Sequence, residues 1–207
     1  MEIRALNNLL GNIDIYLLDQ LLKGRFEQDM LILDAGCGEG RNSHYFIRLG
    51  YQIVGVDRNP TAIQMARITA KTLDPTFDAQ RFIVAEVEEL PFHRGAFDAL
   101  ISSAVMHFAS DRAHFDAMLA EQMRVLKPGG LFWLRMCTDA GGCFPRSEDS
   151  GDQQETLPDG TKRFVLRDQH LTEAMKRYRL RLLEPAKSVV VHGQRAMGAY
   201  VFQKEGE

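Results

Sequence analysis

The chain has 207 residues, 45% of them hydrophobic, which is enough for one well-filled core and short for two domains. With 25 Lys+Arg against 28 Asp+Glu the formal net charge is −3 and the basic residues are scattered, which argues against nucleic acid or an anionic membrane as a partner. No apolar run approaches the roughly 20 residues needed to span a bilayer, and three cysteines (Cys37, Cys137, Cys143) behind a start without an apolar leader lead us to expect a reducing, cytoplasmic setting with no disulfide framework and no metal site.

Residues 1–29 read as a short helical cap. Leu6, Leu10, Ile13, Leu17 and Leu21 recur at close to helical spacing, Gly11-Asn12 interrupts the stripe, and Asp14 caps a second helix ending at Gly24. Met30-Leu31-Ile32-Leu33 is then a continuous apolar run, as expected of a strand buried on both faces of a parallel sheet. Gln52 to Val56 is a second strand, and Asn59-Pro60 opens a helix to about Leu73, with asparagine as N-cap and proline at the first helical position. Arg81 to Ala85 and Phe97 to Ser102 are the third and fourth strands.

Ser110 or Asp111 caps a helix with Phe115, Met118, Leu119, Met123 and Leu126 on its apolar face. Lys127-Pro128-Gly129-Gly130 stops it before a fifth strand, Leu131 to Cys137. Residues 139–163, rich in glycine, proline and acids, read as a long loop of the kind used as a lid or substrate-binding segment. A last helix starts near Arg167, and its basic end, Lys176 to Arg181, reads as a solvated terminus. Two strands follow, near Leu180–His192 and Ala196–Gln203, with a hairpin turn at Gly193-Gln194. Strands and helices alternating in this way argue for a doubly wound α/β sheet.

The segment Leu33-Asp34-Ala35-Gly36-Cys37-Gly38-Glu39-Gly40-Arg41-Asn42-Ser43 carries the chemistry. It follows a buried strand and opens a helix, and its glycines let the backbone turn tightly against a ligand. The spacing Gly36-x-Gly38-x-Gly40 differs from the G-x-G-x-x-G that seats a pyrophosphate on a helix N-terminus. Asp34 would repel a pyrophosphate and suits a cationic ligand, such as one bearing an ammonium and a sulfonium. Asp57, at the end of the second strand, stands where a carboxylate accepts both ribose hydroxyls of an adenosine.

These residues resemble motifs I and II of the class I S-adenosylmethionine-dependent methyltransferases. Ala85-Glu86-Val87-Glu88-Glu89-Leu90-Pro91-Phe92 is similar to the family's acidic segment after the third strand. Phe97 to Ser103 resembles motif IV, and Arg124 to Gly130 the turn before the fifth strand. The resemblance covers roughly residues 30 to 137. It implies a Rossmann-like, doubly wound, seven-stranded sheet whose last strand is antiparallel. It also implies S-adenosylmethionine as cofactor, with Asp34, Gly36, Cys37, Gly38, Arg41, Asp57, Arg58, Glu86, Val87, Ser102, Ser103 and His107 around it, Glu86 receiving the adenine amino group. Gly40-Arg41-Asn42-Ser43 and the small size look like the tellurite-resistance and small-molecule branches. Ser102-Ser103-Ala104-Val105 stands where amino-group methylating relatives carry Asn-Pro-Pro-Tyr, which points away from adenine or glutamine methylation.

The expected reaction is methyl transfer to a small-molecule acceptor by in-line displacement, in which positioning supplies much of the acceleration. The competing readings are a non-catalytic module that binds the same cofactor and an NAD-dependent oxidoreductase. The acceptor should lie beyond the carboxyl ends of the parallel strands, among the cap, Ser103–His107, the 139–163 loop and the final hairpin tip. The candidate catalytic residues there are His107, His192, Arg195 and Tyr16, with Asp14 beside Tyr16 on the cap.

Overall fold

In the computed structural model, residues 2–140 and 152–206 are described. The strands Leu31–Ala35 (β1), Gln52–Asp57 (β2), Phe82–Val84 (β3), Phe97–Ser103 (β4) and Leu126–Cys137 (β5) run parallel in the order β3-β2-β1-β4-β5. Successive strand side chains point to opposite faces. Leu33, Leu100 and Phe132 therefore enter one core layer, and Ile32, Ile101 and Trp133 the other. Both layers are roofed by helices, which is why these strands read as unbroken apolar runs.

The Ile32 side is covered by Ile15–Leu22 (α2), Ser43–Arg48 (α3) and Pro60–Leu73 (α4), through Leu17, Phe46, Ile47, Ile63 and Ala66. Helix Ile3–Leu10 (α1) precedes α2 and ends at Gly11, which takes the left-handed φ of +59°. The Leu33 side is covered by Arg112–Val125 (α5), through Phe115, Met118, Leu119 and Met123, and by Asp168–Tyr178 (α6). Among the described residues no helix is long and apolar enough to cross a membrane.

The sheet is completed by Arg195–Lys204 (β10), antiparallel to β5, and by Leu180–Leu182 (β8) and Lys187–Val191 (β9), both antiparallel to β10. The expected sixth strand over 180–192 is thus two short strands. Leu182 pairs with Phe202 and Lys187 with Ala199, so the chain between them holds more residues than its partner and bulges. Glu184 in that bulge accepts hydrogen bonds from Gln20, Lys23 and Arg25 at 3.0, 2.7 and 3.0 Å and so ties the cap to the sheet. Burial would raise its pKa, but the hydrogen bonds from Lys23, Lys187 and Gln20 outweigh burial and hold it at about 2.

Two other expectations change. The fifth strand begins at Leu126, and Lys127 to Gly130 form an irregularity within it, where the pairing shifts between Phe97 and Ala99. The helix has already ended at Val125, so Leu126 belongs to the strand and not to the helix face. Residues 152–163 are not a structureless loop: Glu155–Thr156 (β6) and Lys162–Arg163 (β7) form a hairpin. Pro158, Asp159 and Gly160 are its turn, with Gly160 at φ +79° and Asp159 accepting from the Thr161 amide. Behind it Leu157, Phe164, Val165 and Leu166 are buried, and Phe164 stacks on Phe115 at 4.8 Å. Gly141, Gly142, Cys143, Pro145 and Gly151 of the expected loop lie outside the described residues.

Candidate active site

At the carboxyl end of β1 the chain turns so sharply that the Gly36 and Cys37 amides both donate to the Val56 carbonyl, at 2.8 and 2.9 Å. A Cβ on Gly36 would sit 2.3 Å from Val105 Cγ2, and its φ is +74°. Glycine is required there on both counts. The Gly38 amide donates to Asp57 Oδ2 at 2.9 Å, and the Asn59 amide to Asp57 Oδ1 at 2.9 Å. Each Asp57 oxygen thus keeps a lone pair free for a further donor. Asn59, not Asp57, caps α4 through the Thr61 amide.

Asp34 is 1% exposed. It accepts from Ser43 Oγ at 2.8 Å and has no ion-pair partner among the described residues. Burial pushes its carboxyl up to about 6, against the smaller pull of Ser43 and Arg41. A cavity of about 280 Å³ opens beside this turn. Asp57, Arg58 and Glu86 give it polar walls, Gly36 and Val87 its floor, and Val105, Phe108 and Met118 its apolar side. His114 and Glu88, paired at 3.1 Å, also line it.

A second cavity, of about 370 Å³, shares Ala104 with the first. Ala104 holds a left-handed φ of +56°, a strained conformation for an L side chain, and its amide donates to the Arg135 carbonyl at 2.7 Å. Asp14, Arg41, His107, Arg135, Arg163 and Arg195 supply the polar wall. Asp14 carries two duties: Oδ1 caps α2 at the Tyr16 amide, and Oδ2 pairs with Arg135 Nε at 2.8 Å. The Arg135 guanidinium lies over the Tyr16 ring, 4.8 Å from its centroid. His107 is buried, its Nδ1 has no hydrogen-bond partner among the described residues, and burial with Arg163 and Arg195 nearby lowers its pKa to about 4. It is neutral at neutral pH.

The expected residues divide between the cavities. Gly36, Asp57, Arg58, Glu86 and Val87 line the first; Arg41 and His107, expected at the cofactor, line the second with Arg195. Asp34, Cys37, Gly38, Ser102 and Ser103 line neither cavity; Asp34, Cys37 and Ser102 are buried, Cys37 as a small residue whose sulfur would be 2.9 Å from a Cβ on Gly55. Tyr16 supports Arg135 and does not line either cavity.

His192 is the clearest correction. With Gly193 and Gln194 it forms the three-residue loop of the final hairpin, His192 and Gly193 at positive φ, and its side chain is exposed at the tip, outside the cavity walls. Residues passed over include Arg163, placed by the β6–β7 hairpin, and Arg135. The signal for Arg135 was a lone charge inside the buried run Leu131-Phe132-Trp133-Leu134-Arg135-Met136-Cys137.

The model of a methyltransferase domain family matches residues 33–134. The uncharacterized methyltransferase YodH of Bacillus subtilis is 33% identical over 111 residues, which is 54% of this chain and 45% of that protein. The malonyl-(acyl-carrier protein) O-methyltransferase of Salmonella typhimurium is 33% identical over 111 residues, 54% of this chain and 39% of that one. The chain thus spans less than half the length of these curated relatives. A SAM-dependent methyltransferase structure from Methanosarcina mazei superposes with TM-score 0.71 and 23% identity, covering 90% of this chain and 98% of that one. S-adenosylmethionine, the cofactor of such proteins, fits the first cavity: Asp57 keeps free lone pairs there, Glu86 adds a second acid to the wall, and Asp34 is a buried carboxylate with no ion-pair partner among the described residues. Over residues 33–134 the chain thus matches a methyltransferase domain family, and its fold is that of S-adenosylmethionine-dependent methyltransferases.

Proposed function

We propose that the protein transfers a methyl group from S-adenosylmethionine to a small-molecule acceptor held in the second cavity. The observation that carries this reading is the junction at Ala104, where the cavity lined by Asp57 and Glu86 meets one walled by the cap, β5, the β6–β7 hairpin and β10. When bound, the cofactor supplies a methyl group already activated on a sulfonium, so the protein's work is alignment. Asp57 accepts the ribose hydroxyls, Glu86 the adenine amino group, and Asp34 provides the buried negative charge for the cationic end. Gly36 makes room for Val105, which closes the apolar side of the cavity. His107, neutral and without a partner at Nδ1 among the described residues, is placed to accept a hydrogen bond from a protonated acceptor atom.

Titration calorimetry with S-adenosylmethionine, S-adenosylhomocysteine and NAD, on the wild type and Asp57→Ala, tests the cofactor part. The two adenosyl ligands bind the wild type, and the variant loses about fiftyfold in affinity, as expected for two hydrogen bonds to a charged acceptor. Binding of NAD alone would replace this reading with an oxidoreductase. Turnover to S-adenosylhomocysteine, screened against free small molecules and against carrier-protein-borne acceptors, tests the rest. Turnover restricted to a carrier-borne substrate, as the name of the Salmonella relative suggests for that protein, overturns the free small acceptor. No turnover with any acceptor leaves a binding module.

A further inference from the structure

The chain as a whole carries a net charge of −3, yet the second cavity is lined by four arginines. They arrive from separate places: Arg41 after the glycine turn, Arg135 in β5, Arg163 in β7 and Arg195 at the start of β10. No helix face or local run of basic residues brings them together; the tertiary fold does. Among the described residues two carboxylates answer them. Asp14 pairs with Arg135 at 2.8 Å and lies 4.0 Å from Arg41, and Asp159 lies 3.5 Å from Arg195. Arg163 has no carboxylate within ion-pair distance among the described residues; its guanidinium stacks on Phe108, 4.6 Å from the ring centroid. Four guanidinium groups against two ion-paired carboxylates among the described residues leave positive charge in excess on this wall, which Asp34 near Arg41 offsets only in part.

Two buried polar atoms on this wall also lack partners among the described residues: Arg135 Nη1, a donor, and His107 Nδ1. Buried donors in folded proteins are paired as a rule, and an unpaired guanidinium nitrogen beside a cavity marks the place of a missing acceptor. Planar guanidinium forks match carboxylate and phosphate oxygens in pairs, which the compact ammonium of lysine does not, and this wall uses arginine throughout.

From this arrangement we infer that the second cavity binds a dianionic oxyanion group of the methyl acceptor, a dicarboxylate or a phosphate monoester, clamped between Arg135, Arg163 and Arg195. The inference rests on the reading of this cavity as the acceptor site. The rigid wall, Arg135 on Tyr16 and Asp14, receives one edge of the group. Arg163 and Arg195, on the hairpin and on the edge of β10, close on the other. The excess charge selects against cationic and neutral acceptors, for which the arginines would be left desolvated and unpaired.

The test titrates the S-adenosylhomocysteine-saturated protein with succinate, inorganic phosphate and the neutral isostere succinamide. Succinate or phosphate binds at least about tenfold more tightly than succinamide, and Arg163→Gln and Arg195→Gln each weaken that dianion by about tenfold, while S-adenosylhomocysteine affinity and the melting temperature stay at the wild-type values. Which dianion binds separates the carboxylate from the phosphate source. The inference is overturned if neither dianion binds better than succinamide, or if the two variants bind it as the wild type does. A dianion held through these arginines in a protein that methylates only carrier-borne substrates would keep the anion site and remove the free small acceptor. Methylation of a neutral small molecule, unaffected by either variant, would do the reverse.

Discussion

The two cavities meet at one residue, Ala104, but they are built by different rules. The first is assembled from the carboxyl ends of consecutive strands: Gly36 follows β1, Asp57 ends β2 with Arg58 after it, and Glu86 and Val87 follow β3. Its polar character is set by acids placed where strands end, with Asp34 buried in β1. The second takes Asp14 from the cap, Arg135 from inside β5, Arg163 from a small hairpin and Arg195 from the last strand, and its charge is positive. A site whose parts are neighbours in sequence needs little more than its turn to be correct. One whose parts are far apart depends on every docking contact that brings them together.

That difference can be broken first at Gly36. Gly36→Ala puts a Cβ 2.3 Å from Val105 Cγ2 in a left-handed backbone, and overpacking together with the φ penalty costs about 3 kcal/mol of stability. Denaturant unfolding reads it. Adding Val105→Ala returns only part of the loss, because the Val105 Cβ itself would stand 2.5 Å from the new atom. Full recovery in the double variant would mean that the turn tolerates a side chain and that the close approach is not intrinsic.

The converse test is Arg135→Ala. It removes the 2.8 Å partner of Asp14, a carboxylate 7% exposed, and leaves that charge facing only Arg41 at 4.0 Å. A broken buried pair of this kind costs about 3 kcal/mol, and here the loss falls on the junction of the cap with β5. Limited proteolysis should release the cap early, while calorimetry shows S-adenosylhomocysteine bound with nearly wild-type affinity. An equal loss of adenosyl affinity would show that the two cavities are not separable.

The same contrast explains what could be read from the sequence. The five parallel strands, the Asn59-Pro60 helix start and the pair Gly36 and Asp57 were legible because each is encoded within a few residues, by apolar runs, caps and glycines with a local physical purpose. The second cavity was legible only in part. Arg195 was reached from topology, since an antiparallel strand after a parallel one must start at the ligand edge. His192, three residues earlier, failed the same argument because the turn geometry turns it outward. Arg163 was hidden in a segment whose Pro158 and Gly160 look like loop punctuation; only the burial of Leu157, Phe164 and Leu166 shows them to be a hairpin turn. Glu184 could not be found at all, because the bulge that carries it is a mismatch between two strands, β8–β9 and β10, and not a property of either.

The finest test of the comparison is a slope and not a fall. Asp34 has a folded pKa of about 6 against an ordinary value of 3.8, raised by burial. Between those two values the folded state holds a proton that the unfolded state has lost, so the free protein loses stability as pH rises through the window from 3.8 to about 6, by at most about 1.4 kcal/mol per pH unit. Glu184 acts in the opposite sense: held at about 2, it contributes stability that disappears as pH falls from 4.5 toward 2. A ligand with a cationic end stabilises the ionised Asp34, so S-adenosylhomocysteine binds less tightly as pH drops below about 6 and Asp34 takes up its proton. Asp34→Asn should flatten the acid-side stability slope of the free protein and remove the pH dependence of the affinity, at the cost of weaker binding at neutral pH. Melting temperatures from pH 4 to 8 with and without saturating S-adenosylhomocysteine give both quantities. If the variant kept the wild-type pH dependence of affinity, the buried charge would serve the fold alone, and the cationic end of the ligand would have to be answered elsewhere in the first cavity.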